Sequence, residues 1–314
     1  MDGDGIETLG KDSGIYFDHE GNGFAQSTGW VGSDDGLLVF DKNSNGIIDD
    51  GNELFGNNTL LANGSKAANG FTALADLDTN ADGVIDSEDT AFGNLRVWRD
   101  LDGNGRVSEG ELFALEALGI QSLNTQYTSQ NITDAQGNKH LQTGSYTLVD
   151  GTTRAMNDVW FTEDTARTVD MNPVEIPEEI TALPDISAFG NVHSLHQAMA
   201  RDESGTLQSL VESFVSETDP AARTILISQI IYAWVGVADI APNSRGTFFD
   251  ARKLAVLENF LGTTYMDNGS NVQGPNAVSL LTKAFDALTD YVGTQLMLQT
   301  HLAPLLESSL KASS

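Results

Sequence analysis

Apolar positions along the chain change their spacing near residue 170. Before it they come in brief runs: Gly36-Leu37-Leu38-Val39-Phe40 and Leu95-Arg96-Val97-Trp98 each lead into a stretch dense in Asp, Asn and Gly. Short apolar runs bounded by turn residues predict strands that feed loops. Leu112, Phe113, Leu115 and Leu118 follow Glu109 at helical spacing, and Gly119 stands where a helix would stop. An amphipathic helix is therefore predicted over 109–118. Residues 145–149 and 152–156 flank Asp150-Gly151, a pattern that predicts a β-hairpin about an Asp-Gly turn. The first half reads as α+β.

The second half has helical periodicity. Leu207, Leu210, Val211, Phe214 and Val215 mark one helix face. Residues 221–237 carry Ile225, Ile227, Ile230, Ile231, Trp234 and Val235 on most faces, as the buried central helix of a bundle does. Further helices are predicted over 254–261 and 277–310, the last broken near Gly293 and Pro304. Pro173, Pro177 and Pro184 block helix continuation between the halves. The organisation read from the sequence is an α+β domain over 1–170, an extended linker over 171–187 and an all-α helical bundle over 188–314.

Charge sharpens this division. The 314 residues include 45 acidic and 16 basic ones, a net charge of −29. Residues 1–170 hold 29 of the acids, 9 of the bases and 23 of the 31 glycines. Such a surface argues against nucleic acid or an anionic membrane as partner, since both need positive charge. There is no cysteine, which removes disulfides, thiolate zinc sites and Cys nucleophiles. No apolar run approaches the roughly 18 residues that span a bilayer, so membrane insertion is not expected. Met1-Asp2-Gly3-Asp4 lacks the basic and apolar regions of a signal peptide, and points to a start inside a longer protein.

The acidic stretches carry the candidate chemistry. A calcium loop of the EF-hand type places acidic or amide side chains at positions 1, 3 and 5, glycine at 6, a backbone carbonyl at 7 and a closing carboxylate at 12. One loop matches throughout: Asp100, Asp102, Asn104, Gly105, the Arg106 carbonyl and Glu111. A second is Asp78, Asn80, Asp82, Gly83, the Val84 carbonyl and Asp89, a shorter closing group that narrows the site. A third begins Asp41, Asn43, Asn45, Gly46, Ile47 and includes Asp49, but its only Glu, Glu53, comes one residue late. The fourth, Asp18, Glu20, Asn22 and Gly23, has Gly29 at position 12 and must borrow a carboxylate, with Asp34 or Asp35 nearest in sequence. The fifth, Asp2, Asp4 and Gly5, lacks its first position, which would precede Met1. Two Ca2+ sites are expected from the complete loops, and up to four or five in all. Asp89 and Asp100 are too close for the paired helices of a calmodulin-like switch. Calcium is instead expected to fold the domain by neutralising it.

Other constellations are weak. His193 and His196 lie one helical turn apart with no third ligand, which favours a packing role over zinc. Asp219-Pro220 reads as a helix cap followed by proline in the first turn. No nucleophile elbow or phosphate-binding glycine loop is present, and no residue of the chain is assigned as catalytic.

The strings Asp2-Gly-Asp-Gly-Ile-Glu-Thr, Thr28-Gly-Trp-Val, Asp34-Asp-Gly-Leu-Leu-Val, Gly46-Ile-Ile-Asp and Glu53-Leu-Phe-Gly resemble the self-processing module of iron-regulated RTX proteins of the FrpA/FrpC type. Leu95-Arg-Val-Trp, Leu118-Gly-Ile-Gln-Ser-Leu and Gly144-Ser-Tyr-Thr extend the resemblance over about residues 1–160. It implies a secreted bacterial protein, exported by type I secretion, whose calcium-loaded module cleaves an Asp-Pro bond just upstream of the first loop. The resulting anhydride is hydrolysed or captured by the lysine of an acceptor protein. That Asp-Pro bond is absent from this sequence. The helical half, with Asp250-Ala-Arg-Lys-Leu and Leu257-Glu-Asn-Phe, resembles a region that accompanies such modules. The alternative is a calcium-stabilised structural or adhesive module without chemistry.

Overall fold

The chain separates into two units, Met1–Val169 and Asp170–Ser314, in a computed structural model that describes residues 5–267 and 269–303. Strands open the first unit: β1 (Thr8–Leu9), β2 (Tyr16–Phe17), β3 (Phe24–Thr28), β4 (Trp30–Val31) and β5 (Leu37–Phe40). One short helix, α1 (Gly70–Ala75), separates them from β6 (Val84–Ile85), β7 (Leu95–Trp98), β8 (Leu112–Ala114) and β9 (Ile120–Asn124). The last strands are longer: β10 (Thr128–Thr133), β11 (Lys139–Leu148), β12 (Thr153–Trp160) and β13 (Glu163–Asp170). β1 pairs with β4, β3 lies between β13 and β2, and β7 lies between β5 and β8. A five-stranded sheet joins β6, β9, β10, β11 and β12.

Alternation along β7 divides the interior. Leu95 and Val97 pack with Leu74, Ile85 and Leu123, whereas Trp98, on the opposite face, packs with Phe17, Trp30 and Ile48. This is the period-two geometry of a strand buried on both sides. The hairpin of β11 and β12 turns at Asp150-Gly151, closed by a bond from Gly151 N to Leu148 O of 2.8 Å.

The helix predicted over 109–118 does not form. Leu112–Ala114 is β8, antiparallel to β7 with Trp98 opposite Leu112, and only a 3-10 turn over Glu116–Leu118 follows. The apolar spacing suited a helix, but pairing with β7 satisfies the same backbone groups and buries the aromatic neighbours as well.

The second unit is helical: α2 (Glu178–Thr181), α3 (Leu195–Arg201), α4 (Thr206–Ser216), α5 (Pro220–Trp234), α6 (Ala251–Leu261) and α7 (Val278–Gln299). The segment read as a linker is partly structured. It contains α2, and Ile180 and Ile186 are buried in the helical core with Ile176 and Leu183 against them. Its prolines exclude a long helix without preventing these side chains from packing. α5 buries Ile230, Ile231 and Trp234, but Ile225 is 62% exposed, so its first half is not the enclosed centre of the bundle. α7 runs unbroken through Gly293, where a Cβ would lie 2.9 Å from Ile227 Cδ1. Glycine there allows close approach to α5 rather than ending the helix; Pro304 lies outside the described residues. No helix among the described residues is long and apolar enough to cross a membrane.

Candidate metal centre

Four acidic loops of the first unit share one backbone construction. In each, glycine at position 6 takes a positive φ: Gly23 +87°, Gly46 +87°, Gly83 +89° and Gly105 +70°. Its N–H donates to the first aspartate, with distances of 2.7 Å to Asp18, 2.8 Å to Asp41, 2.9 Å to Asp78 and 2.8 Å to Asp100. The position-5 side chain accepts from the N–H of position 7, pairing Asn22 with Phe24, Asn45 with Ile47, Asp82 with Val84 and Asn104 with Arg106. The apolar residue at position 8 anchors the loop: Ala25, Ile48 and Ile85 are buried, and Val107 packs against the Trp30–Trp98 cluster.

Three of the loops are closed alike. Glu111 accepts from Leu101 N at 2.8 Å and Ser108 N at 2.9 Å. Asp89 accepts from Thr79 N at 2.7 Å and Asp86 N at 3.1 Å. Glu53 accepts from Lys42 N and Asp49 N, both at 2.9 Å. Although one residue late, Glu53 thus binds the same two backbone positions as Glu111 and Asp89. Asp49 joins the Asp41 loop through bonds from the Asn43 and Asn45 amides at 2.7 and 2.8 Å.

The Asp18 loop differs. His19 N, at its second position, faces the Gln26 amide oxygen at 3.4 Å rather than a carboxylate, and Glu20 accepts from the Asn22 amide. The borrowed acid expected here was Asp34 or Asp35; the acid whose charge acts on Asp18 is Asp50. Gly51 N donates to Asp18 O at 2.8 Å, and a Cβ on Gly21 would sit 3.1 Å from Asp50 Oδ2. Asp35 instead accepts from Glu7 N at 2.9 Å, while Asp34 flanks Gly32, whose N–H donates to Glu7 O. Both thus lie beside Glu7, and Asp2 and Asp4 lie outside the described residues. Asp50 comes from the end of a different loop, so spacing within the Asp18 loop does not point to it.

Electrostatics set these loops apart from ordinary turns. Asp100, Asp102 and Glu111 bring one carboxylate oxygen each within 4.8 Å of one another, with Asp100 and Glu111 almost fully buried. Burial raises the Asp100 pKa, against the N–H groups of Gly105 and Asn104, and the Glu111 charge adds to the rise. Burial likewise raises Asp18, with Asp50 contributing. At Asp89 burial is outweighed by the Thr79 and Asp86 donors, which hold its pKa below the usual range. In the second complete loop Asp78 Oδ1 is buried and finds no hydrogen-bond partner among the described residues. A carboxylate oxygen buried without a donor is costly, and a cation is the partner that would satisfy it. The donors of all four loops are oxygens, the set that hard divalent cations take. The residues present fit such an ion.

Trp98 is an addition that the loop motif does not reveal. Its indole Nε1 donates to Glu111 Oε2 at 3.4 Å, and its ring meets Trp30 edge-on at 5.4 Å, which couples the aromatic core to a closing carboxylate. His193 and His196 do not converge. His193 Nδ1 is 2.6 Å from Asp170, and His196 Nε2 is 2.8 Å from the Leu183 carbonyl. Asp219 caps α5 by accepting from Ala221 N, with Pro220 in the first turn.

A strand-rich unit carrying repeated acidic loops closed by carboxylates is the class that this geometry defines. Residues 1–162 match the SPM domain family, and the chain belongs to it. Among relatives, the chain is 42% identical over 236 residues to the iron-regulated protein FrpA of Neisseria meningitidis serogroup C, a match covering 74% of this chain. That span exceeds the first unit and so takes in part of the helical one. The matched region is 21% of FrpA's own length.

Proposed function

We propose that residues 1–170 are the calcium-binding, self-processing module of a secreted RTX-type protein, driving cleavage of an Asp-Pro bond on the N-terminal side of residue 1. The observation that carries this reading is the shared loop construction, with Glu53, Asp89 and Glu111 each holding the same two backbone positions, in a chain of the SPM family. Asp41, Asp78 and Asp100 with their companions would hold Ca2+, and the Asp18 loop would do so with Asp50. When bound, calcium supplies charge neutralisation that lets the acidic loops close.

The chemistry belongs to the scissile aspartate. Its side-chain carboxylate attacks its own backbone carbonyl, the C–N bond to proline breaks, and the proline nitrogen leaves with a proton. Water opens the cyclic anhydride to two carboxyls; a lysine amine opens it to an isopeptide amide and one carboxyl. The module contributes geometry, fixing a carboxylate against a carbonyl that a flexible segment seldom presents to it. Export by type I secretion accords with the acidic, cysteine-free composition.

The test is the chain extended by its upstream Asp-Pro segment, incubated with calcium or with chelator and read by mass spectrometry. Cleavage at that bond, only with calcium and with Asp219-Pro220 intact, is the expected result. An extended chain that binds calcium and stays whole would instead favour a calcium-stiffened structural or adhesive module.

A further inference from the structure

Helix α7 carries two apolar faces. One is turned inward: Phe285, Leu288, Val292 and Leu296 are buried, and the Phe285 ring stacks on Tyr232 of α5 at 6.2 Å. The other is open. Leu280, Ala284, Ala287, Tyr291, Thr294 and Leu298 are all exposed, with Leu280 at 72%. Single exposed apolar side chains are ordinary on a protein surface. These six are set apart by their spacing, because steps of four and three residues alternate from Leu280 to Leu298. That is the 3.5-residue period that keeps a seam facing a second helix in a left-handed coiled coil.

Charge along the flank of this seam selects the occupant. Lys283 and Asp290 are exposed, stand one heptad apart and hold the same place in the repeat, just before Ala284 and Tyr291. In an antiparallel pair of identical helices, equivalent flanking positions meet across the seam. A two-fold axis between residues 285 and 286 sets Lys283 of each copy beside Asp290 of the other. Helical side chains lean toward their own N-terminus, so the lysine and the aspartate lean toward each other. The same placement packs Leu280 on Tyr291 of the second copy at both ends of the seam. In the middle it packs Ala284 on Ala287, where small side chains let the backbones approach. A shift of one heptad would bring Leu298 onto Leu280 of the second copy, but it would oppose Asp290 to its own equivalent, a like-charge contact. A parallel pair offers Lys283 no acid, since the facing position is the buried Leu288.

We infer that the outer face of α7 is an interface for a second copy of this chain, docked antiparallel through Leu280, Ala284, Ala287 and Tyr291. Two symmetric Lys283–Asp290 ion pairs flank it. The contact is isologous and closes at two copies. A seam of fewer than two heptads would not hold isolated peptides together, but α7 is already folded in its bundle, so pairing carries no cost of helix formation. The dimer presents two first units in one particle, whatever chemistry that unit performs.

Analytical ultracentrifugation of the intact 314-residue chain tests this, in calcium and about 0.15 M salt, which screens the repulsion between two acidic chains. A dimer should form over about 10–100 µM, as transient interfaces of small area do. Leu280→Asp should weaken it more than tenfold. Lys283→Asp and Asp290→Lys should each weaken it about tenfold, because each sets like charges together at two places. The double exchange should restore it, and Leu298→Asp should change it less than about twofold. Circular dichroism of each variant checks that the helices remain; all the substituted residues are exposed. A chain monomeric up to about 1 mM, or a dimer indifferent to Leu280→Asp, overturns the proposal. Failure of the double exchange to restore association overturns the antiparallel pairing. Loss through Leu298→Asp with no response to the charge variants does so as well, by placing the copies in the shifted register.

Discussion

Glu53 shows how a residue can be misnumbered by a motif and still occupy its place. It accepts backbone bonds from Lys42, Asn43 and Asp49, so Glu53→Ala should remove the calcium site of the Asp41 loop. It should also cost on the order of 3 kcal/mol, since charge-assisted bonds to buried groups are worth ~1.5–3 kcal/mol each and do not add fully. Calorimetric titration and urea unfolding in calcium would read both effects. Asp78→Ala and Asp100→Ala should each abolish one site and destabilise more than Asp18→Ala, whose loop relies on Asp50. The reverse order in the same titrations would count against the loop assignments. A separate pair of residues governs pH. Burial lowers the pKa of His19 to about 4 and raises that of Glu163 to about 7, with the two side chains 3.9 Å apart. His19 should accordingly stay neutral in a nuclear magnetic resonance titration down to about pH 5. Folded Glu163 keeps its proton between its ordinary 4.5 and about 7, where the unfolded chain has lost it. Its contribution to stability therefore falls as pH rises through that window. Glu163→Gln should gain on the native protein across it, by roughly 2–3 kcal/mol at neutral pH after allowance for its partial exposure.

At the scale of elements, the loops were far more legible than the structure around them. Position 6 glycines and position 8 apolar residues are local features, and all four described loops form at the positions they mark. Residues 109–118 were not legible, because β8 takes its partner from β7 and because Glu111 O accepts from Arg99 N at 2.9 Å, which fixes an extended backbone at the point where a helix would begin. Asn138 gave no signal either, since Asp134-Ala-Gln-Gly-Asn138 reads as a plain turn until Thr8 and Thr162 arrive from distant strands. Glycine is required for different reasons in different loops, and substitution should separate them. Both Gly83 and Gly105 have positive φ, so alanine costs about 1 kcal/mol at either. At Gly83 a Cβ would meet open space, whereas at Gly105 it would lie 2.8 Å from Ile15 Cγ2 and 2.9 Å from Tyr16 O. Gly105→Ala should therefore be worse than Gly83→Ala by a further ~1–3 kcal/mol, the usual cost of overpacking, in denaturant unfolding at saturating calcium.

Across the whole molecule, charge and packing assign different means of stabilisation to the two units. Residues 1–170 carry 29 acids against 9 bases and residues 171–314 carry 16 against 7. The first unit divides its interior into two small clusters joined by short strands, whereas the second buries one continuous apolar core drawn from all six of its described helices. Short strands in small clusters offer little area with which to oppose self-repulsion, and the buried oxygens of Asp78 and Asp100 add to the cost without a cation. Calcium should therefore control the first unit and leave the second nearly unaffected. Thermal melting followed by circular dichroism should show a helical transition that is the same in calcium and chelator, and a second transition that moves up with calcium concentration as binding linkage requires. A site saturated at a hundredfold excess over its dissociation constant contributes about 2.7 kcal/mol, so two sites would shift that transition by roughly 10–20 degrees for a unit of this size. Fluorescence assigns the transitions independently. Trp30, Trp98 and Trp160 lie in the first unit and Trp234 in the second, with Trp98 bonded to a closing carboxylate. Chelation should change emission in the intact protein and leave that of a variant with Trp30, Trp98 and Trp160 replaced by Phe unchanged. A helical transition that moved with calcium, or a first unit equally folded in chelator, would show that the acidic loops close without the ion.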